Sequence, residues 1–166
     1  MTKGKSEEPD QKELETLAKA LIDEQSTVTL ATCKGNVSWA APVYYVFHKS
    51  AFYFFSDPSA RHVVEALETG QASGAIHGFA LGWQEIRGIQ MSGCIETLKM
   101  GLESAEVIRV YLKKYQFTKE FFLSGGAVNL DAFTARFRVK LYKFKPTLMY
   151  YLDNRFRFGF RERVML

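Results

Sequence analysis

Several things are scarce or missing in these 166 residues, and each absence excludes something. No uninterrupted apolar run approaches the roughly 18 residues that a membrane-spanning helix needs. The start, MTKGKSEEPDQKELE, has no apolar stretch of the kind a secretory signal carries. There are only two cysteines, Cys33 and Cys94; they form no CxxC pair, and without an export signal they read as reduced thiols in a cytoplasm. The three histidines, His48, His62 and His77, show no metal-ligand spacing with cysteines or carboxylates. No GxGxxG, phosphate-loop lysine motif or nucleophile elbow occurs, which argues against a dedicated hydrolase.

What is present is an ordinary globular composition, 47% apolar and 24% charged, with an uneven charge distribution. Residues 1–25 carry a net −3 and residues 26–135 are neutral. Residues 136–166 set nine basic side chains against Asp153 and Glu162. A basic C-terminal quarter suits an anionic partner: nucleic acid, a phosphorylated ligand or an acidic patch on a second subunit. The tail YYLDNRFRFGFRERVML interleaves Phe156, Phe158 and Phe160 with arginines. It could stack bases, form half of a subunit interface or cover a bound ring. No RNA-binding motif accompanies it, so nucleic acid ranks last.

Periodicity supplies the elements. Residues 1–9 read as a flexible tail and residues 10–166 as one domain. Leu14, Leu17, Ala18, Leu21 and Ile22 form one helical stripe. The spacing then drops to two: 26–33, 37–48 and 51–56 read as three strands of an antiparallel meander. Pro42 lacks an N–H, so the second strand has an edge or bulge near its middle. Asp57-Pro58 suits the start of a short helix with Ala60, Val63, Val64 and Leu67 on its stripe, ending at Gly70. Strands follow at 71–78 and 85–98, then a helix bearing Ala105, Ile108, Leu112 and Tyr115, and a short helical piece around FTKEFFL. A last strand over 136–146 slips phase near Tyr142, as at a bulge. The sum is an α+β protein, a six-stranded antiparallel split barrel with flanking helices.

One segment stands out chemically. FYFFSDPSARHV places Ser56, Ser59, Arg61 and His62 where an aromatic strand passes into a helix. A helix N-terminus has unpaired N–H groups and partial positive charge, hydroxyls donate to phosphate oxygens, and arginine offers a planar fork. The bland alternative is a capped surface turn with solvated charges. WAAPVYY, in the second strand, has small residues and a proline where a flat ring could approach freed backbone; the alternative there is an edge blunted against aggregation.

Together the order of elements and the segments TLATCKGNVSWAAPVYYVF, FYFFSDPSARHV and IRGIQMSGCIE resemble the pyridoxamine 5'-phosphate oxidase-like FMN-binding split-barrel family. The resemblance covers roughly residues 12 to 153. It implies a cytoplasmic homodimer with FMN at the subunit interface, an oxidoreductase acting on a small molecule, with no nucleic-acid or membrane partner. The matching phosphate positions are Ser56, Arg61 and His62, with Ser59 a substitute for a hydroxyl that the pattern places at Ala60. The ring would lie along Ala41, Pro42, Val43 and Tyr44, and the other subunit would bring the Gln90 strand. Tyr44, Gln90 and His62 are candidates for tuning the ring or substrate. The C-terminal basic and histidine signature that holds the vitamin substrate is missing from RFGFRERVML, so the namesake reaction is not implied. The remaining alternative is a flavin- or haem-binding protein that stores or senses its ligand without turnover.

Overall fold

A computed structural model describes residues 8–119, 123–124, 127–128 and 130–166. Helix α1, Gln11–Glu24, starts where Asp10 Oδ1 accepts from the Glu13 N–H at 2.8 Å, and it buries Leu14, Ala18, Leu21 and Ile22. Strands β1 (Thr27–Lys34) and β2 (Val37–Tyr44) form a hairpin. Its turn residues, Gly35 and Asn36, both have positive φ, as a two-residue connection of this hand requires. A second hairpin, β3 (Val46–His48) with β4 (Ala51–Ser56), turns at Lys49 and Ser50. Helix α2 (Arg61–Thr69) and β5 (Ala72–His77) follow, then β6 (Arg87–Thr97) and α3 (Leu102–Lys114). A two-residue ladder, β7 (Leu123–Ser124) with β8 (Ala127–Val128), precedes α4 (Leu130–Phe137). The long strand β9 (Lys140–Asp153) and short β10 (Arg161–Arg163) complete the chain.

The main antiparallel sheet runs β2-β1-β5-β6-β9-β4-β3, with β10 added on β9. It is an α+β split barrel, but with seven strands along the path rather than the six expected. The added strand comes from the segment 37–48, which breaks at Tyr45. There the side chain turns into the core and its hydroxyl donates to Ile22 O at 2.6 Å. The break also overturns the three-strand meander: β2 pairs with β1, and β3 pairs only with β4, at the far end of the sheet. The sheet curls until β2 contacts β4, with no ladder between them. That seam is the split.

Two apolar clusters stabilise the arrangement. The barrel interior holds Leu30, Phe52, Phe54, Ile89, Phe144 and Tyr151, closed by α1 and α2. Outside it, α3 covers Val46, Tyr53 and Leu141 with Val107, Ile108 and Tyr111. Consecutive residues Leu141 and Tyr142 are therefore buried on opposite faces of β9. The apparent phase slip at Tyr142 is two covered faces, not a bulge. The register shift lies instead opposite Ser92 and Gly93, where Thr147 is the extra residue. The last strand also begins later than expected, because Arg136 and Phe137 belong to α4 and Arg138 ends it with positive φ. On α3 the buried stripe is Ser104, Val107, Ile108 and Tyr111, leaving Ala105 exposed. Residues 1–7 of the expected tail, and part of the helical piece expected around 117–123, lie outside the described residues. Gln116–Thr118 is a 3-10 turn. No described helix is long and apolar enough to cross a membrane.

Candidate functional site

The seam opens into a cavity of about 480 Å³, within the range typical of small-molecule sites. The free edge of β2 supplies Pro42, Val43 and Tyr44, and the end of β4 supplies Phe55 and Ser56. His62 enters from the first turn of α2; Tyr111, Tyr115, Phe117, Thr118, Phe133 and Phe137 complete the walls. The proline that looked anomalous in a strand sits where β2 has no neighbour. The aromatic walls interlock: Tyr44 meets Tyr115 and Phe117 edge-on at 5.5 and 6.2 Å, and Phe55 meets Phe133 at 4.9 Å. Two tyrosines of the α3 region tie the backbone together around the break. Tyr111 donates to Tyr44 O and Tyr53 O, and Tyr115 to Ser26 O and Tyr45 O.

The polar end of the cavity is small. Ser56 Oγ lies 3.0 Å from His62 Nε2, and both residues are buried. Burial pushes the His62 pKa below its ordinary value, so the imidazole is neutral at pH 7. The buried side of α2 differs from the expected apolar stripe. It presents His62, Val63, Glu65 and Ala66, while Val64 and Leu67 are exposed. Two polar side chains thus face inward because a site and a strand lie beneath them.

Two expected phosphate ligands, Ser59 and Arg61, and the expected helix cap are placed otherwise than the sequence suggests. The helix cap is Ala60, with no side-chain bond, not Asp57. Asp57 Oδ1 accepts from both Ser59 N and Ser59 Oγ at 2.7 Å, so the Ser59 hydroxyl serves its own turn. Those bonds also hold the Asp57 carboxyl below the usual range. Arg61 does not line the cavity. Its Nε donates to Glu65 Oε1 at 2.6 Å, one helical turn on, and its guanidinium lies 4.8 Å from the Trp39 ring centre. Glu65 in turn accepts from Thr32 Oγ1 at 2.6 Å, and the Thr32 and Arg61 bonds lower its pKa. An Arg61 spending all its donors on an acid would be unfit for an anion; here only the Nε edge is used.

Ala41 pairs with core residue Leu30 and faces inward, so it offers the seam backbone rather than side chain. Gln90 is exposed on the outer face of the sheet. The register aligns Pro42, Thr29, Ala75, Gln90 and Tyr150 across five strands. Three ladder steps separate Pro42 from Gln90, about 14 Å, too far to share one ligand edge within a single chain. Around that row the outer face shows Ser38, Ala40, Ala31, Ser73 and Ser92, with its charge at the β10 edge, where the Arg161 guanidinium lies 5.0 Å from the Tyr150 ring centre. A larger concavity of about 630 Å³ lies on this face and is lined by Thr32, Ser38, Ser73, Ser92 and both free cysteines. Its walls are short hydroxyls and thiols with no charged group, so the smaller aromatic cavity is the better binding site. Cys33 and Cys94 flank the Gln71 position two ladder steps apart, roughly 10 Å and beyond disulfide reach.

The tail is partly structural: Phe160 is buried, Phe156 packs on the core, and only Phe158 is exposed. Arg155 grips the buried Asp153 and Arg157 pairs with Glu8. Sequence reasoning missed Glu65, Thr32, Trp39 and the aromatic walls from α3 and α4. Only the i, i+4 spacing of Arg61 and Glu65 was readable beforehand.

No family model matches the chain. A curated relative, a UPF0306 protein of Photorhabdus laumondii, is 28% identical over 137 residues, covering 81% of this chain and 84% of that one. A haem-binding protein from Mycobacterium smegmatis superposes with TM-score 0.67 and 16% identity over 96% of this chain, which spans 60% of that protein. A FAD-binding protein from Mesorhizobium loti gives 0.58 and 15% over 81% of this chain and 90% of its own. A putative pyridoxamine 5'-phosphate oxidase from Listeria innocua gives 0.62 and 14% over 84% and 98%. At these identities the likeness is one of fold.

Proposed function

We propose that the chain is a cytoplasmic, homodimeric flavoprotein that holds FMN in the seam cavity and acts as an oxidoreductase on a small molecule. One observation carries the reading. Pro42, Val43, Tyr44, Ser56 and His62, five of the residues expected to hold the cofactor, come from three elements to line one aromatic-walled cavity. The donor set fits a flat heterocycle with an anionic tail. Rings pack on its sides, an unpaired strand edge offers hydrogen bonds to ring heteroatoms, and Ser56, His62 and the uncapped start of α2 suit phosphate oxygens. A bound flavin supplies hydride or electron transfer at its ring. The chain's own part is binding and orientation. Tyr44 and Phe117 restrict the ring plane, Ser56 and His62 fix the tail, and the aromatic walls exclude water. The FAD-binding and oxidase likenesses support a flavin.

The same geometry supports a second subunit. Gln90 is too far from the seam to reach the ligand within one chain, so a contact from it needs another copy. The outer face around Ser38, Ala40, Ala31, Ser73 and Ser92, small and polar up to the Arg161 edge, is suited to burial between copies. A second reading is a carrier or store of flavin or haem without turnover. It is favoured by the cavity lining, where the described residues include no carboxylate or lysine, and by the haem-binding likeness.

The test is to incubate the purified protein with FMN or with haem, pass it through gel filtration and record the visible spectrum. Retained flavin absorbance, reduced by Arg61→Ala, is expected. Retained haem alone favours the second reading, and neither ligand retained refutes both. Flavin binding without oxidation of a reduced nicotinamide would leave the carrier reading in place of the enzyme.

A further inference from the structure

We propose that Glu65 and Trp39 are positioning residues that hold the Arg61 guanidinium on two sides and leave its Nη edge for the oxygens of the ligand's anionic group. The inference rests on the flavin reading above. A guanidinium has five N–H donors in a fixed plane. The Nε donor goes to Glu65 Oε1 at 2.6 Å, the guanidinium Cζ lies over the Trp39 ring 4.8 Å from its centre, and the Arg61 side chain keeps 40% of its surface exposed. Neither Nη nitrogen makes a hydrogen bond among the described residues. The edge that matches two phosphate oxygens is therefore the one left over.

The support is itself built in. Glu65 is 6% exposed, and its second oxygen is tied to Thr32 Oγ1 on β1 at 2.6 Å. An arginine already fixed on two sides loses less side-chain freedom when it takes an anion. Thr32 and Trp39 are directly paired across the β1–β2 hairpin, so one pair of strands carries both supports. Arg61 and His62 open the same uncapped first turn of α2, so the grip adjoins the helix end that brings His62 to the cavity, although Arg61 itself does not line it.

The opposite possibility is that Glu65 sequesters Arg61, and the two predict opposite signs. Flavin fluorescence titrations of FMN and of riboflavin, which lacks the phosphate, give the preference for FMN as a ratio of dissociation constants. In Glu65→Met the preference should fall by about tenfold, the loss of one well-placed charged contact, with riboflavin affinity unchanged. Glu65→Gln keeps an acceptor for Nε and should retain most of the preference. A preference unchanged or increased in Glu65→Met, or lost equally in Glu65→Gln, overturns the proposal. Should Glu65→Met fail to fold, Trp39→Leu at the half-exposed hairpin serves instead: a preference reduced about threefold supports the proposal and an unchanged one overturns it. Wild-type protein binding both flavins equally would sink this inference alone. Binding neither would sink the flavin reading beneath it.

Discussion

His62 shows how one side chain ties packing to chemistry. It is 7% exposed, beside Ser56, and burial holds its pKa below 6.5. An unfolded chain would protonate this histidine first, so its contribution to stability is complete above about pH 6.5 and is lost as the pH falls towards the folded value. Urea midpoints should therefore drop between about pH 7.5 and about pH 5, and His62→Gln should flatten part of that slope. An identical slope in the variant would show that His62 is not the titrating group. Glu65 acts in a lower window: its lowered pKa gives stability above the ordinary 4.5 that acid removes. The sequence displayed both residues, but it did not show that they share the buried side of α2. Apolar spacing ranked Val64 and Leu67 ahead of them, because hydropathy does not register a partner waiting on another element.

At the scale of elements, the seam depends on how unpaired backbone is satisfied and how closely strands approach. Tyr115 donates to Ser26 O at 2.8 Å and to Tyr45 O at 2.6 Å. Tyr115→Phe removes the one hydroxyl hydrogen shared between them; Ser26 O keeps the Tyr45 N–H, so chemical denaturation should show a loss of about 1–3 kcal/mol from the Tyr45 carbonyl. The β6–β9 crossing is tighter. A Cβ on Gly93 would lie 2.1 Å from Lys145 O, where the register shifts past Thr147. Since that contact is backbone, Gly93→Ala should cost about 3 kcal/mol and lower the melting temperature; an unchanged melting temperature would show that the strands separate easily. The existence and type of most elements were legible from periods of two and 3.6. The break at Tyr45 was not, since Tyr44-Tyr45 continues a β-rich run and only its bond to Ile22 O reveals the corner.

For the whole molecule, the proposed dimer buries the face that carries Pro42, Thr29, Ala75, Gln90 and Tyr150 in one row. Ala75 lies near the middle of that face and is exposed in the single chain. Ala75→Glu would place a charge there, and light scattering should report a monomer that no longer retains FMN. A variant that stays dimeric and keeps its flavin would move the interface elsewhere. The wild-type protein should scatter as a dimer.

The sequence by itself determined the α+β class, the helix and strand periods, the proline at a strand edge and the Ser56–His62 corner, because each depends on neighbours a few residues away. The tertiary structure alone decided that β2 closes towards β4, that α3 and α4 wall the gap with rings, that Gln90 lies out of reach, and that Arg61 rests on Glu65 and Trp39. These contacts join elements distant in the chain, and sheet curvature and helix rotation bring them together. Neither is encoded in the spacing of apolar residues along one segment.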